Sequence, residues 1–79
     1  MRSSTVETDV GTASIVVGKK IKEIRKKKSL TIEDLSEKSG VSVGHISRLE
    51  NGKKSPTIST LEKLATALDV PVVYFFSIL

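Results

Sequence analysis

The sequence predicts an all-α domain built from five short helices. Three observations support this fold class: apolar residues recur three and four positions apart, strong helix caps recur along the chain, and only the short run 70–76 favours a strand. Residues 1–14 are mostly small and polar without such a period, so we expect a flexible N-terminal tail over residues 1–16, followed by one domain over residues 17–79. The predicted helices cover residues 17–28, 31–39, 42–51, 57–68 and 71–77.

The composition favours a binding domain over an enzyme. The 79 residues contain no cysteine, which excludes disulfides, thiolate metal sites and cysteine nucleophiles. A single histidine, His45, argues against a histidine-based metal site. Most enzymes need a pocket larger than five short helices enclose. We therefore expect neither catalytic activity nor a metal or cofactor.

The charge balance is basic. Thirteen Lys and Arg against nine Asp and Glu give a net charge of +4. This charge suits a polyanionic partner such as nucleic acid, and it equally fits an ordinary basic surface. No stretch is apolar enough to span a membrane and no signal peptide is recognisable, so the expected location is the cytoplasm.

The second and third predicted helices carry the strongest local signals. Thr31 is a suitable N-cap for the first of them, and Gly40 can end it in the left-handed conformation. Ser42 caps the next helix, and Gly52 follows its end. Two helices of this length joined by a tight glycine turn form a helix-turn-helix over residues 31–51. The expected core positions of the second to fourth helices are Leu35, Ile46, Leu49, Ile58, Leu61, Leu64 and Leu68.

Several short motifs stand at fixed offsets around this turn. They are Gly40-Val41-Ser42, Ile46-Ser47 and Leu49-Glu50-Asn51-Gly52-Lys53. With them, the segment 18–76 resembles the phage repressor and Cro family of helix-turn-helix domains, also called the Xre family. The resemblance implies a compact five-helix domain of the lambda-repressor type. It further implies a transcriptional regulator, here a repressor, that binds duplex operator DNA as a homodimer.

The second helix of a helix-turn-helix enters the major groove, with its N-terminal residues near the base edges. Arg48 can donate two hydrogen bonds to guanine, and Val43 can pack on a thymine methyl group. Gly44 offers no side-chain contact and costs about 0.5–1 kcal/mol of helix stability. Either the glycine lets the helix backbone approach the DNA closely, or the base pair opposite it contributes little to sequence recognition. The candidate base-reading residues are Ser42, Val43, Gly44, Ser47 and Arg48.

Other residues of the motif are expected to position the DNA or the helices. Helix starts and the basic loop bind phosphate without reading sequence. The resemblance assigns Arg25 and Glu50 to a structural ion pair between the first helix and the end of the recognition helix. The candidate DNA-backbone contacts are Thr31, Ile32, His45, Asn51, Lys53 and Lys54.

The C-terminal residues 70–79 are more apolar than one helix face can bury, and exposed apolar patches usually mark interfaces. The alternative to a DNA-binding homodimer is a protein-interaction module, such as an antitoxin or a partner-bound regulator. DNA affinity with a steep salt dependence favours the first, and association without nucleic-acid affinity favours the second. The expected dimer interface comprises Val72, Val73, Phe75, Phe76, Ile78 and Leu79.

Overall fold

The computed structural model describes the backbone of residues 2–76 and the side chains of residues 13–76. It confirms the all-α fold with five helical elements, because residues 2–76 contain no strand. The second and third of these elements form the predicted helix-turn-helix. The elements are α1 (Arg2–Lys27), α2 (Ile32–Ser39), α3 (Val43–Glu50), α4 (Ile58–Leu68) and a C-terminal 3₁₀ helix (Val72–Phe76).

One apolar core lies between these elements. The core positions predicted for α2, α3 and α4 are buried with one exception. The prediction for Ile58 is wrong, because its side chain is 64% exposed. Ile58 lies in the first turn of α4, on the same face as the buried Ala65, but no described element extends far enough to cover it. The largest fully buried side chains are Phe75, Ile21, Leu35, Ile46, Leu49, Leu64 and Leu68.

The first helix begins earlier than the sequence pattern predicts. The pattern places its start at residue 17, whereas the backbone is helical from Arg2. Ser14 Oγ lies 3.0 Å from Ser55 Oγ, and Ile15 contacts Gly52. These contacts join residues far apart in the chain, so local periodicity does not reveal them. The boundary between a tail and a domain at residue 17 stays a prediction.

The last element is a 3₁₀ helix where the sequence predicts a helix over residues 71–77. The Tyr74 amide donates to the Pro71 carbonyl at 3.0 Å, which is the i→i+3 bond of the tighter helix. Phe75 anchors this helix in the core, with no exposed surface.

The caps of the helix-turn-helix lie where the sequence predicts them. Thr31 Oγ1 accepts a hydrogen bond from the Asp34 amide, and an Asp34 carboxylate oxygen accepts one from the Thr31 amide, both at 3.0 Å. The hydrogen bond from the Thr31 backbone lowers the pKa of Asp34 below its usual value, and the Thr31 side chain adds a smaller effect in the same direction. Gly40 ends α2 with a φ of 79°, and Ser42 Oγ caps α3 by accepting from the His45 amide.

Helices α1 and α3 approach closely at Gly18. A Cβ atom on Gly18 would overlap the carbonyl oxygen of Leu49, in the last turn of α3. The obstacle is backbone, which cannot move aside as the end of a flexible side chain can. The distance between the two helices therefore depends on the absence of a side chain at this position.

We expect Gly18→Ala to destabilise the domain by about 1–3 kcal/mol, because overpacking outweighs the better helix propensity of alanine. Chemical denaturation followed by far-UV circular dichroism measures the effect. The control is Lys19→Ala at the next, exposed position of α1, which should change stability by less than about 0.5 kcal/mol. Equal stability of Gly18→Ala and the parent would contradict the close approach.

Candidate nucleic-acid interface

Helix α3 is buried along one face and exposed along the other. Ile46 and Leu49 are almost completely buried in the core. Gly44 and Arg48 lie on the opposite face and are exposed, and Val43, at the start of the helix, is 40% exposed. The exposed face includes the first turn of the helix, so the core holds α3 while its N-terminal end remains accessible to a partner.

The two serines predicted to read bases are less available than their neighbours. Ser42 is exposed, but its Oγ accepts the capping bond from the His45 amide at 3.1 Å, so one of its two lone pairs is already engaged. Ser47 is half-buried, and its carbonyl accepts a bond from Asn51 Nδ2 at 2.8 Å. His45 is also half-buried. The most accessible side chains of α3 are therefore those of its first residue and of Arg48.

The buried end of α3 is fixed by Arg25. Its Nε donates to Glu50 Oε2 at 2.7 Å and its Nη2 donates to Glu50 Oε1 at 3.0 Å, while Nη1 donates to the Leu30 carbonyl at 2.8 Å. The Arg25 and Glu50 side chains are only 8% and 3% exposed. The hydrogen bond to Glu50 raises the pKa of Arg25, against the opposite effect of burial. We call this set of three bonds the Arg25 fork.

The start of α2 offers backbone donors more than side chains. The first amides of a helix have no intrahelical acceptor and favour anions. Ile32 is half-buried against the core, so its contribution to a DNA contact is limited to its amide. The Thr31 amide is engaged with Asp34, although the Thr31 hydroxyl can still donate. The carboxylates of Glu33 and Asp34 lie in the same turn and oppose an anion there.

The loop between α3 and α4 places two lysines just beyond the recognition helix. Gly52 adopts a left-handed φ of 70°, and the Lys53 amide donates to the Arg48 carbonyl at 2.9 Å. Lys53 and Lys54 are both exposed. Asn51 is exposed as well, but one of its side-chain amide protons already caps α3. The loop thus places two exposed lysines directly after α3, and the backbone of the first is bonded to that helix.

Gly18 also belongs to this site, because it sets how closely α1 packs on the end of α3. The sequence pattern does not mark it as a site residue. The available signal is a glycine inside a predicted helix, which lowers helix stability unless packing requires it. Gly18 and Arg25 are seven residues apart, so they lie on the same face of α1, two turns from each other.

The predicted dimer residues divide into buried and exposed ones. Phe75 is wrong as an interface residue, because its side chain is fully buried in the core of the single chain. Val72 is half-buried and packs against the same core. Val73 and Phe76 are 64% and 51% exposed. The other two predicted positions, residues 78 and 79, lie outside the described residues.

An apolar surface remains exposed beside the 3₁₀ helix. Val73 and Phe76 are three residues apart, so they share one face of this helix. Phe76 and Ile58 line an open groove of about 290 Å³, together with Pro56 and Ala13. We refer to Ile58, Val73 and Phe76 as the apolar surface. The apolar periodicity predicts Ile58 in the core and not on this exposed surface.

Comparison with known proteins places this arrangement in a class. The helix-turn-helix family model HTH_3 matches residues 21–75. The transcriptional repressor RghR of Bacillus subtilis is 44% identical over 55 residues, which cover 68% of this chain and 41% of that protein. The immunity repressor of Bacillus phage phi105 is 40% identical over 58 residues, covering 73% of this chain and 40% of that protein.

A solved structure shows the same fold. The restriction-modification controller protein C.AhdI from Aeromonas hydrophila superposes with a TM-score of 0.78 at 30% identity, covering 80% of this chain and 96% of that one. The site is that of a helix-turn-helix domain. The chain belongs to the HTH_3 helix-turn-helix family, which confirms the resemblance to phage repressor and Cro domains.

Two further facts bear on the whole protein. The chain spans about two fifths of the length of RghR and of the phage repressor. Within residues 2–76, no helix combines the length and the apolar character that a membrane crossing requires.

We expect Glu50→Ala to cost about 3–5 kcal/mol, because it leaves the Arg25 guanidinium buried without its counter-charge. The double variant Arg25→Met, Glu50→Leu should cost less than either single change, since it leaves no stranded charge. Urea denaturation of the parent, of the single variants Glu50→Ala, Arg25→Met and Glu50→Leu, and of the double variant measures these differences. Additive losses in the double variant would show that the Arg25 fork contributes nothing as a unit.

Proposed function

We propose that this chain binds duplex DNA sequence-specifically and regulates transcription as a repressor. The observation that carries the proposal is the geometry of α3. Its C-terminal end is fixed by the Arg25 fork, and its first turn is capped and exposed. A rigid helix with an accessible N-terminal end suits insertion into the major groove. The function is binding rather than catalysis, and it belongs in the cytoplasm, where operator DNA is found.

Sequence recognition falls to the exposed residues of α3. The Arg48 guanidinium can donate to O6 and N7 of one guanine, a pattern that no other base pair presents in the same place. Val43, at the first position of the helix, can contact a thymine methyl group. Ser42 and Ser47 contribute less, since the cap and partial burial restrict them. Arg48 is thus the residue on which base preference depends most.

Contacts to phosphate position α3 in the groove. Lys53 and Lys54 supply charge immediately after the recognition helix. The Ile32 amide and the Thr31 hydroxyl supply neutral donors at the start of α2. These groups meet the backbone at both sides of the groove, so they contribute affinity and salt dependence rather than sequence preference.

Repression is supported by the names of the relatives, since both RghR and the phi105 protein are described as repressors. A small domain lying in the major groove excludes other proteins from the same DNA. Bound over a promoter, it would block transcription by occupancy, with no need for chemistry at the site.

Specific sites require more than one recognition helix, because a single helix reads only a few base pairs. We propose that two copies pair through the apolar surface and place their recognition helices in successive major grooves, about 34 Å apart. The same surface supports the second candidate function, a regulator that docks on another protein. An exposed apolar patch is compatible with either partner.

Selection of bound duplexes from a random pool tests the proposal. A single enriched site with two-fold symmetry is the expected result, and it also defines the spacing of the two half-sites. Failure to enrich any sequence, together with affinity that is independent of salt, would overturn sequence-specific DNA binding and leave the protein-docking function.

Variants of two exposed basic residues should separate sequence reading from phosphate binding. We expect Arg48→Ala to lose about 1–3 kcal/mol of discrimination at one base pair. Lys53→Ala should weaken binding to every sequence and lower the salt slope by about one. Fluorescence anisotropy over a salt series measures both. An equal loss of affinity for all sequences in Arg48→Ala would contradict its base-reading role.

A charge on the apolar surface should weaken the dimer. We expect Phe76→Asp to raise the dimer dissociation constant by about tenfold or more, which corresponds to about 1.4 kcal/mol. Affinity for an isolated half-site should stay unchanged, because Phe76 is half exposed and lies outside the recognition helix. Sedimentation equilibrium and binding to the selected palindrome measure the two effects.

Tyr74→Asp is the matched control for this experiment. Tyr74 lies in the same 3₁₀ helix with nearly the same exposure, 52%, but it lines a different groove beside Lys20 and Lys27. It should leave dimerisation intact. If both substitutions weaken the dimer equally, or if the parent is monomeric at every concentration, the apolar surface is not the dimer interface.

A further inference from the structure

Gly44 is a glycine that the backbone of α3 does not require. It is the second residue of the helix, and it is not among the glycines with positive φ, which are Gly40 and Gly52. Alanine is more stable than glycine in such a helical position. No backbone of another element lies where its Cβ would be, in contrast to Gly18. The absence of a side chain at Gly44 therefore calls for a different physical reason.

The space beside Gly44 is occupied by the Arg48 guanidinium. From the position of an ideal Cβ on Gly44, Arg48 Nη1 is 3.4 Å away, and Cζ and Nη2 are both 4.0 Å away. Residues four apart are neighbours on a helix surface, and helical side chains lean toward the N-terminus. The guanidinium thus lies over the first turn of α3, one turn nearer the helix start than its own Cα.

The distances define which side chains this arrangement tolerates. A methyl group at position 44 would touch the guanidinium at ordinary van der Waals distance. Atoms beyond Cβ would compete for the volume that the guanidinium fills. Arg48 would then have to adopt another rotamer and point away from the first turn. The constraint at position 44 is therefore on the size of a side chain beyond its first carbon.

We propose that Gly44 is a positioning residue for Arg48. Its missing side chain lets the guanidinium lie against the first turn of the recognition helix, the part that approaches base edges. Gly44 thereby fixes the base pair that Arg48 reads, although it makes no side-chain contact with DNA itself. This inference rests on the base-reading role proposed for Arg48.

The test compares Gly44→Leu with the smaller Gly44→Ala as its matched control. The parent should prefer the selected operator over duplexes changed at the Arg48 base pair by about 5- to 150-fold, the range expected of one bidentate contact. Gly44→Ala should keep that preference, and Gly44→Leu should lose it at this base pair alone. Thermal unfolding should show both variants folded at least as stably as the parent, because both residues are better helix formers than glycine.

The same two changes in an Arg48→Ala background identify the cause. If Gly44 acts through Arg48, Gly44→Leu has no further effect on discrimination at that base pair once the guanidinium is gone. Equal loss of affinity for all sequences in both backgrounds would instead indicate a clash between position 44 and the DNA, and would overturn the positioning role. Retention of the full preference by Gly44→Leu would overturn it as well.

The outcome for Arg48→Ala alone separates this inference from the function on which it rests. If Arg48→Ala abolishes discrimination at one base pair while Gly44→Leu preserves it, only the positioning role of Gly44 fails. If Arg48→Ala leaves discrimination intact at every base pair, the base-reading role of Arg48 fails and the role of Gly44 fails with it.

Discussion

The Arg25 fork determines how the recognition helix is held. One guanidinium joins α1, the loop before α2 and the last residue of α3 through three hydrogen bonds of 2.7–3.0 Å. Apolar packing is non-directional, so a small core alone leaves the orientation of a helix of eight residues weakly defined. A fork of planar donors on a carboxylate fixes both direction and rotation. Within the described residues, no buried side-chain nitrogen or oxygen lacks a partner, so this polar group is accommodated without an unsatisfied atom.

Gly18 complements the fork on the same face of α1. The fork fixes the direction of α3, and the bare backbone at Gly18 fixes its distance by allowing α1 to lie directly against the Leu49 carbonyl. Together they constrain one stripe of α1. The lysines on its other faces are constrained far less. Lys20 and Lys27, for example, form only exposed or partly exposed ion pairs with Glu23, at 3.3 and 3.8 Å, and such pairs contribute little to stability.

The local features of this fold could be predicted from the sequence, and the long-range ones could not. The starts of α2 and α3 follow from Thr31 and Ser42, because a cap is a property of three or four consecutive residues. The predictions for Ile58 and Phe75 are wrong in opposite senses: Ile58 is expected in the core and is exposed, whereas Phe75 is expected at an interface and is buried. Periodicity identifies a helix face but not how far a neighbouring element covers it. The same limit applies to Ser14 and Ile15, which contact the loop after α3, and to Gly18, which lies against α3 itself. For the candidate site, the positions and the caps at Thr31 and Ser42 were predictable from the local sequence, whereas the bond from the Asn51 side chain to the Ser47 carbonyl and the partial burial of His45 and Ser47 depend on the folded structure.

The division of α3 into a buried face and an exposed face has an evolutionary consequence. Ile46, Leu49 and Glu50 carry the attachment of the helix to the rest of the domain, and Val43, Gly44 and Arg48 take no part in it. With the base-reading role proposed for these exposed positions, substitutions there alter recognition without removing a contact of the core. Descendants of one ancestral domain can therefore diverge to new operators by a few substitutions that leave the residues holding the fold unchanged.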